Sequence, residues 1–188
     1  MLNLDISGID ADASYAIDTN FGRFTIGGAV TEEIKFDQQI GSGPKFSVLN
    51  TTGFNTTFPS VQTQVRGDVG WAFRHFAADV FVNYTGSYQN YSSTTVVPLT
   101  LNAQGYPTGG GDKVDAIATV DVHIAYDIPS IWVFSYTKGT QVYADVNNIG
   151  NKMPSFYNDF ASGGASGYDT FTGNPLGRVV SAGFRAKF

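Results

Sequence analysis

Two histidines and a set of aspartates are the residues of this chain whose chemistry could serve catalysis or metal binding. His123 is preceded by Asp115 and Asp121 in a segment where polar and apolar residues alternate, so all three are expected on one polar face. An imidazole beside carboxylates can bind a metal ion or an iron chelate. It can equally be a solvated residue of a wet interior, and both interpretations stay open.

A catalytic site would need several such groups at one place. Asp10 and Asp12 share a strand face, as paired acid–base carboxylates do, but they also fit a charge pair opposite Arg23 or Arg66. His75 stands in a predicted tight turn, at a different strand end or depth from His123, so no Ser–His–acid constellation converges. The Gly-rich segment 109–112 lacks the strand-to-helix context of a phosphate loop. We therefore expect a protein that is not an enzyme, with no catalytic residue, no metal site and no cofactor.

Tyrosines in the predicted loops are the remaining candidates for ligand contact. Aromatic rings stack against sugars and chelates in binding sites. Ordinary loop packing explains the same residues equally well. The candidates are Tyr91, Tyr106, Tyr157 and Tyr168.

Composition limits the classes of function. The 188 residues carry a formal net charge of −5, only 14% of them are charged, and none is cysteine. The acidic balance argues against nucleic acid as a partner, since phosphate neutralisation needs Lys and Arg. The lack of cysteine excludes disulfides, thiolate catalysis and cysteine-ligated metal sites. No apolar run approaches the roughly 18 residues of a transmembrane helix, which taken at face value suggests a water-soluble protein.

The elements that would carry these residues are strands, because alternation with period two dominates the chain. We predict about seven strands of roughly ten to thirteen residues, longer than the five or six usual in soluble proteins. The clearest strand is 61–73, which the turn Arg74–His75 joins to the next one. The alternating segments are 9–17, 24–30, 61–73, 78–84, 114–126, 142–146 and 180–188.

Strand length and loop asymmetry favour a transmembrane β-sheet. A membrane-spanning strand needs about nine to eleven residues, and outer-membrane barrels have short turns on one side and long loops on the other. Short connections are expected at 18–22, 74–75 and 127–138, and long external loops at 36–60, 89–113 and 148–176. Aromatic residues near the strand ends resemble interfacial girdles. They are Tyr15, Trp71, Phe73, Tyr84, Tyr88, Tyr126 and Phe188.

The carboxyl end adds a specific signal. Residues 181–188 alternate up to the terminal Phe188, with Ser181, Gly183 and Ala186 at the positions of a barrel-assembly signal. This segment looks like the final strand of outer-membrane barrel proteins. In those families the barrel-assembly machinery recognises that strand.

A wider resemblance covers most of the chain. The alternating strand and Asn-rich turn of residues 141–154 resemble the penultimate strand of TonB-dependent receptors, where Lys and Pro follow the turn. Residues 177–180, Phe58–Pro59 and the start at 8–15 are also similar to that family.

The resemblance implies an outer-membrane active transporter of a Gram-negative bacterium. Such receptors take up siderophores, cobalamin or oligosaccharides through a barrel that encloses a plug. An inner-membrane complex supplies the energy by acting on the plug. The expected partners are therefore the lipid bilayer, the barrel-assembly machinery, that complex and a small nutrient or metal chelate.

The count of strands predicts an incomplete barrel. Residues 1–188 are interpreted as the carboxy-terminal part of the receptor barrel, without the plug and the earlier strands. Bacterial single-chain barrels have an even number of strands, so an odd count requires a preceding strand.

Two other classes stay open. A small free-standing barrel with a structural or adhesin role would need an eighth strand within 36–60 or 127–138, with 131–134 the best candidate. A soluble carbohydrate-binding β-sandwich with an aromatic core is the other alternative. The transported substrate, the oligomeric state and the origin of the truncation are not determined by the sequence.

Overall fold

The computed structural model describes residues 1–52, 60–90, 100–105, 107–108, 113–129, 139–158, 166–170 and 172–186. Over these residues the protein is all-β, and no helix is long and apolar enough to cross a membrane. The predicted all-β class is thereby confirmed. The strands are β1 (Leu2–Thr19), β2 (Gly22–Ile40), β3 (Lys45–Ser47), β4 (Thr51–Thr52), β5 (Thr63–Phe73), β6 (Phe76–Thr85), β7 (Gln89–Asn90), β8 (Thr100–Leu101), β9 (Pro107–Thr108), β10 (Ile117–Asp127), β11 (Gln141–Asn147) and β12 (Val179–Arg185).

Seven long strands of the described chain form one antiparallel sheet in the order β1-β2-β5-β6-β10-β11-β12. Each long strand pairs with the next long strand along the chain, because consecutive antiparallel strands need only a simple reversal. The short β3 pairs with the far end of β2. The sheet is open over the described residues, with β1 and β12 at its two edges.

The predicted number of long strands is confirmed. The two strands at each edge of the sheet, however, differ from the predicted lengths. β1 and β2 have 18 and 19 residues, whereas β11 and β12 have 7 each. Closure into a barrel is not seen over the described residues. Within 36–60 the additional pairing on this sheet is the three-residue β3, and the candidate eighth strand at 131–134 lies outside the described residues.

The two faces of the sheet are chemically different, and the register aligns side chains of the same kind across neighbouring strands. One row of side chains crosses all seven long strands on the apolar face: Tyr15, Ile26, Val69, Val80, Val122, Val146 and Val180. The adjacent row on the other face is largely polar: Ala16, Thr25, Gly70, Asp79, His123, Asp145 and Ser181. The alternation of apolar and polar residues in the sequence therefore corresponds to an apolar and a polar surface of the sheet.

The long connections meet at one end of the sheet, as predicted. The described residues of the first connection (within 41–62), the second (within 86–116) and the third (within 148–178) together form what we call the loop assembly. Asn50 joins the first two connections. Its side-chain amide donates to the Ser87 backbone carbonyl at 3.0 Å, and its backbone carbonyl accepts from the Gln89 backbone N–H at 2.9 Å. Tyr88 and Val114 form a bridge within the second connection.

Most buried hydrophobic residues of the described chain lie at this end of the molecule, with Phe36 of β2 among them, whereas Ala125 is buried on the polar face of β10. Val61, Tyr88 and Val114 form a buried cluster, and Tyr157 of the third connection packs against it. At the opposite end, the turn predicted at Arg74–His75 is present, and Arg74 adopts a φ of 55°. That left-handed conformation is rare for a residue with a Cβ and is typical of tight hairpin turns.

Candidate functional site

The apolar face of the sheet presents large hydrophobic side chains on the surface of the described chain. Its side chains point away from the rest of the protein, and many are exposed although they are large and hydrophobic. In the row that crosses the seven long strands, Tyr15 and Val180 at the two edges are each 68% exposed. An exposed apolar patch much larger than a few hundred Å² marks a membrane or protein contact.

Aromatic rings border that face at the end of the short turns. One row contains Phe73, Phe76, Tyr126, Val142 and Phe184 on five neighbouring strands. The rings of Phe76 and Tyr126 are 4.6 Å apart. In the next row, Trp71 donates from its indole Nε1 to the Phe21 carbonyl at 2.9 Å. Amphipathic aromatic residues concentrated at one level are typical of a membrane–water interface.

The polar face carries His123 and is rich in acid. Nδ1 of His123 lies 2.6 Å from a carboxylate oxygen of Asp145 on β11, and Asp79 of β6 is its partner in the register on the other side. The ionic residues of this face, over the described strands, are Asp10, Asp12, Asp18, Glu33, Asp68, Asp79, Asp121, Asp127, Asp145, Arg23, Arg66 and Arg185. A surface with this composition is suited to water.

His123 shares the polar face with Asp121, as predicted, but the carboxylate that it contacts belongs to Asp145. Asp115 is exposed before β10 and forms an ion pair with Lys113 at 3.3 Å. Asp121 accepts hydrogen bonds from the Asn83 amide at 2.8 Å and from the Asn148 backbone at 2.7 Å. The alternation of polar and apolar residues in the sequence could place Asp145 on the polar face. Its position opposite His123 depends on the register between two strands.

The other acidic candidates are also separated. Asp10 accepts a hydrogen bond of 2.6 Å from the Thr31 hydroxyl, and Asp12 is opposite Ala29. Neither is opposite Arg23 or Arg66 in the register, because Arg23 pairs with Asp18 and Ala72. No group of three His, Asp or Glu side chains that could hold a metal ion occurs in the described part of the chain.

The carboxy-terminal strand explains one residue of the predicted assembly signal. Gly183 lies under the ring of Tyr143 on the neighbouring strand, and a Cβ at Gly183 would be 2.5 Å from the tyrosine hydroxyl oxygen. Glycine at this position leaves room for the ring that covers it. Ser181 is opposite Asp145 on the polar face, and Ala186 follows β12. Phe188 lies outside the described residues.

The loop tyrosines fall into two groups. Tyr91 and Tyr106 lie outside the described residues. Tyr157 packs against the buried loop cluster and donates its backbone N–H to the Gly167 carbonyl at 3.1 Å. Tyr168 forms a bridge with Phe156. Both described tyrosines are half-buried within the loop assembly, and their role in ligand contact stays a prediction.

A buried tyrosine fastens the loop assembly, and sequence analysis had placed it in a girdle. The Tyr88 hydroxyl donates to Asp169 at 2.8 Å and lies 2.6 Å from the Thr172 hydroxyl. Burial raises the pKa of Tyr88 well above its ordinary value, and the neighbouring Asp169 raises it further. The neutral phenol is thus the form that the loop assembly accommodates.

A cleft of about 480 Å³, lined by both polar and apolar side chains, lies where the third connection meets the polar face. Its lining provides amides, hydroxyls, one carboxylate and one ammonium group. Such groups can bind a polar solute through hydrogen bonds. Lining residues include Asn83, Thr119, Asp121, Asn148, Lys152 and Asn174.

Comparison of the chain with protein-family models, with curated proteins and with solved structures finds no match.

Proposed function

We propose that this chain forms the carboxy-terminal part of the β-barrel of a TonB-dependent receptor in a Gram-negative outer membrane. The intact protein would take up a siderophore, cobalamin or an oligosaccharide, with energy from the inner membrane. The single observation that carries the proposal is the apolar row from Tyr15 to Val180, which crosses all seven long strands on one exposed face.

The dimensions of this face support a membrane location. From Ile9 to Ile17 the apolar side chains of β1 cover about 26 Å along the strand, at about 3.3 Å per residue. At a tilt of about 40° this is about 20 Å along the membrane normal, close to the apolar band of about 25 Å in outer-membrane barrels. A soluble sandwich would instead cover its apolar face with a second sheet.

The open edge of β1 supports the incomplete barrel. β1 pairs with β2 on one side over 18 residues, and its other edge has no partner strand among the described residues. Unpaired backbone groups are not viable in lipid. With seven antiparallel strands, β1 and β12 run in the same direction, so antiparallel closure needs at least one further strand.

The polar face and its cleft support transport. A face of aspartates, arginines and hydroxyls would line a wet interior. The cleft beside Asn148 and Lys152 opens on that side, beneath the loop assembly. A solute entering through the loops would meet this polar lining first.

The membrane part of the proposal is tested by alternate labelling of β6. Single cysteines replace Val80 and Val82 on the apolar face, and Asp79 and Asn83 serve as matched polar-face controls. Because the chain has no cysteine of its own, each variant carries one thiol in the 188 residues. In outer-membrane fragments, the two valine positions should resist a water-soluble maleimide until detergent is added, and the two controls should react. Equal reaction at all four positions would contradict a lipid-facing sheet.

The transport part needs the intact gene. The coding DNA before Met1 should continue in frame into further strands and a plug. A deletion strain should lose uptake of one member of a panel of ferric siderophores, cyanocobalamin and maltodextrins, and a strain without the energy complex should lose the same uptake. Unchanged uptake of the whole panel, with the protein still in the outer membrane, would favour the free-standing structural barrel.

A further inference from the structure

The outward face of the first hairpin changes its chemistry at one level. From Ala11 to Ile17 the outward side chains of β1 are Ala, Tyr and Ile. At the level of Ile9 the outward residue of β2 is the charged Glu32, and between Asn3 and Ser7 the outward side chains of β1 are Asn, Asp and Ser. Beyond this level the apolar residues of both strands move to the opposite face. They include Leu4, Ile6 and the fully buried Phe36.

A β-bulge lies at the same level. Ser7 pairs with Lys35 and Gly8 pairs with Glu33, so Ile34 is an extra residue of β2 without a partner in the register. The extra residue shifts the parity of β2 by one and keeps Phe36 on the same face as Ile6. A Cβ at Gly8 would lie 2.8 Å from the Glu32 carbonyl oxygen. Glycine at this position therefore matches the close backbone approach at the bulge.

Beyond the bulge, the outward face carries a cluster of ion pairs built on three strands. Asp5 accepts from Lys35 at 2.5 Å and from Lys45 at 2.7 Å, and Asp37 lies 3.2 Å from Lys45. These hydrogen bonds lower the pKa of Asp5 to about 2. The charges of the cluster balance, and its lysines are less than half exposed.

We propose that the bulge at Ser7 and Gly8 marks the level at which β1 and β2 leave the bilayer hydrocarbon. The outward face contacts lipid tails from Ala11 to Ile17, Glu32 opposite Ile9 lies at the boundary, and the ion-pair cluster lies in the headgroup layer. This inference rests on the proposed function, because it takes the apolar face to be in a membrane.

Physical chemistry gives the reason for placing the boundary there. Burying charged side chains in hydrocarbon costs free energy. A cluster of four charged residues is therefore disfavoured within the hydrocarbon layer of the membrane. An ammonium group has three N–H donors, and Lys45 directs hydrogen bonds to two carboxylates. One donor of that lysine is left for a lipid phosphate, while Asp5 and Asp37 keep the cluster electrically neutral.

The opposite end of the band has its own boundary. Ile17 lies in the row of Phe24 and Trp71, next to the aromatic row that begins at Phe73. The apolar band is thus enclosed between aromatic rings on the side of the short turns and ion pairs on the side of the long connections.

The test is a depth profile along β1 with single nitroxide labels. Ala11→Cys and Ala13→Cys lie within the proposed band, and Asn3→Cys and Ser7→Cys lie beyond the bulge on the same face. Ser14→Cys, on the polar face, is the control. The full chain is reconstituted in vesicles of phosphatidylcholine and phosphatidylglycerol, and the same variants are measured in outer-membrane fragments from cells that express the whole gene. Collisions with oxygen report hydrocarbon, and collisions with a water-soluble nickel chelate report the aqueous phase.

The expected profile changes between Ala11 and Ser7. Labels at 11 and 13 should show several-fold more oxygen than nickel collisions, whereas labels at 3, 7 and 14 should show the reverse. Oxygen-dominated collisions at 3 and 7, together with 11 and 13, would overturn the boundary and leave the proposed function standing. Nickel-dominated collisions at all five positions in both preparations would overturn the proposed function as well.

Discussion

The hydroxyl of Tyr88 donates a hydrogen bond of 2.8 Å to the carboxylate of Asp169, 81 residues further along the chain. The bond joins the second connection to the third, and both residues are buried. The sheet carries its large apolar side chains outward, so the loop assembly is where this chain forms a water-excluded core. The bond therefore lies where the connections acquire a fixed arrangement.

Replacing Tyr88 by Phe should loosen the loop assembly. The variant keeps the ring but removes the bonds to Asp169 and Thr172, and losing a buried hydrogen bond of this kind costs about 1–3 kcal/mol. Amide hydrogen exchange in the loop assembly should accelerate, with little change in β5 and β6. Tyr84→Phe is the matched control, because Tyr84 is exposed on the apolar face. Equal acceleration in both variants would remove the special role of Tyr88.

Alkaline pH should weaken the same assembly. Burial raises the pKa of Tyr88 in the folded state above its ordinary value of 10.0. Above pH 10.0 the unfolded chain loses the phenolic proton while the folded chain keeps it. The free energy of unfolding therefore falls as the pH rises. Protease resistance of the loop assembly should therefore decline between about pH 10 and 12. The decline should be smaller in Tyr88→Phe, and an identical decline would contradict the assignment.

Acid should break the ion pairs of the cluster in a defined pH range. Hydrogen bonds from Lys35 and Lys45 lower the pKa of Asp5 from 3.8 to about 2. The stabilisation by this carboxylate is complete above its ordinary pKa and is lost as the pH falls through about 2. Carboxyl NMR of Asp5 should give a midpoint near 2, and Lys35→Ala or Lys45→Ala should move it upward. A midpoint that neither variant changes would show that the lysines do not hold the carboxylate.

An alanine at Gly183 should damage the last strand pair. Its Cβ would lie 2.5 Å from the hydroxyl oxygen of Tyr143 and 2.6 Å from the ring carbon that bears it. Forcing the ring aside should cost about 1–3 kcal/mol, the usual range for overpacking. Gly67→Ala is the control, since its nearest atom would be 4.0 Å away. Thermal denaturation in detergent measures both variants, and adding Tyr143→Ser should restore much of the loss in Gly183→Ala.

Local patterns predicted the strands but not the register between them. The alternation around His123 correctly placed it on a polar face with Asp121, but it did not identify Asp145 as the residue that His123 contacts. The contact with Asp145 requires that residue 123 of β10 align with residue 145 of β11. One residue of slippage would exchange the two faces of a strand, and nothing within either segment states that alignment.

The sequence by itself determined the all-β class, the seven long strands, the polar and apolar faces and the asymmetry of the connections. All of these follow from period-two alternation, a local property of a pleated strand. The tertiary structure decided the apolar row from Tyr15 to Val180, the bulge at Gly8, the ring of Tyr143 over Gly183 and the bond between Tyr88 and Asp169. These relationships depend on register and on loop packing, which join residues far apart in the chain.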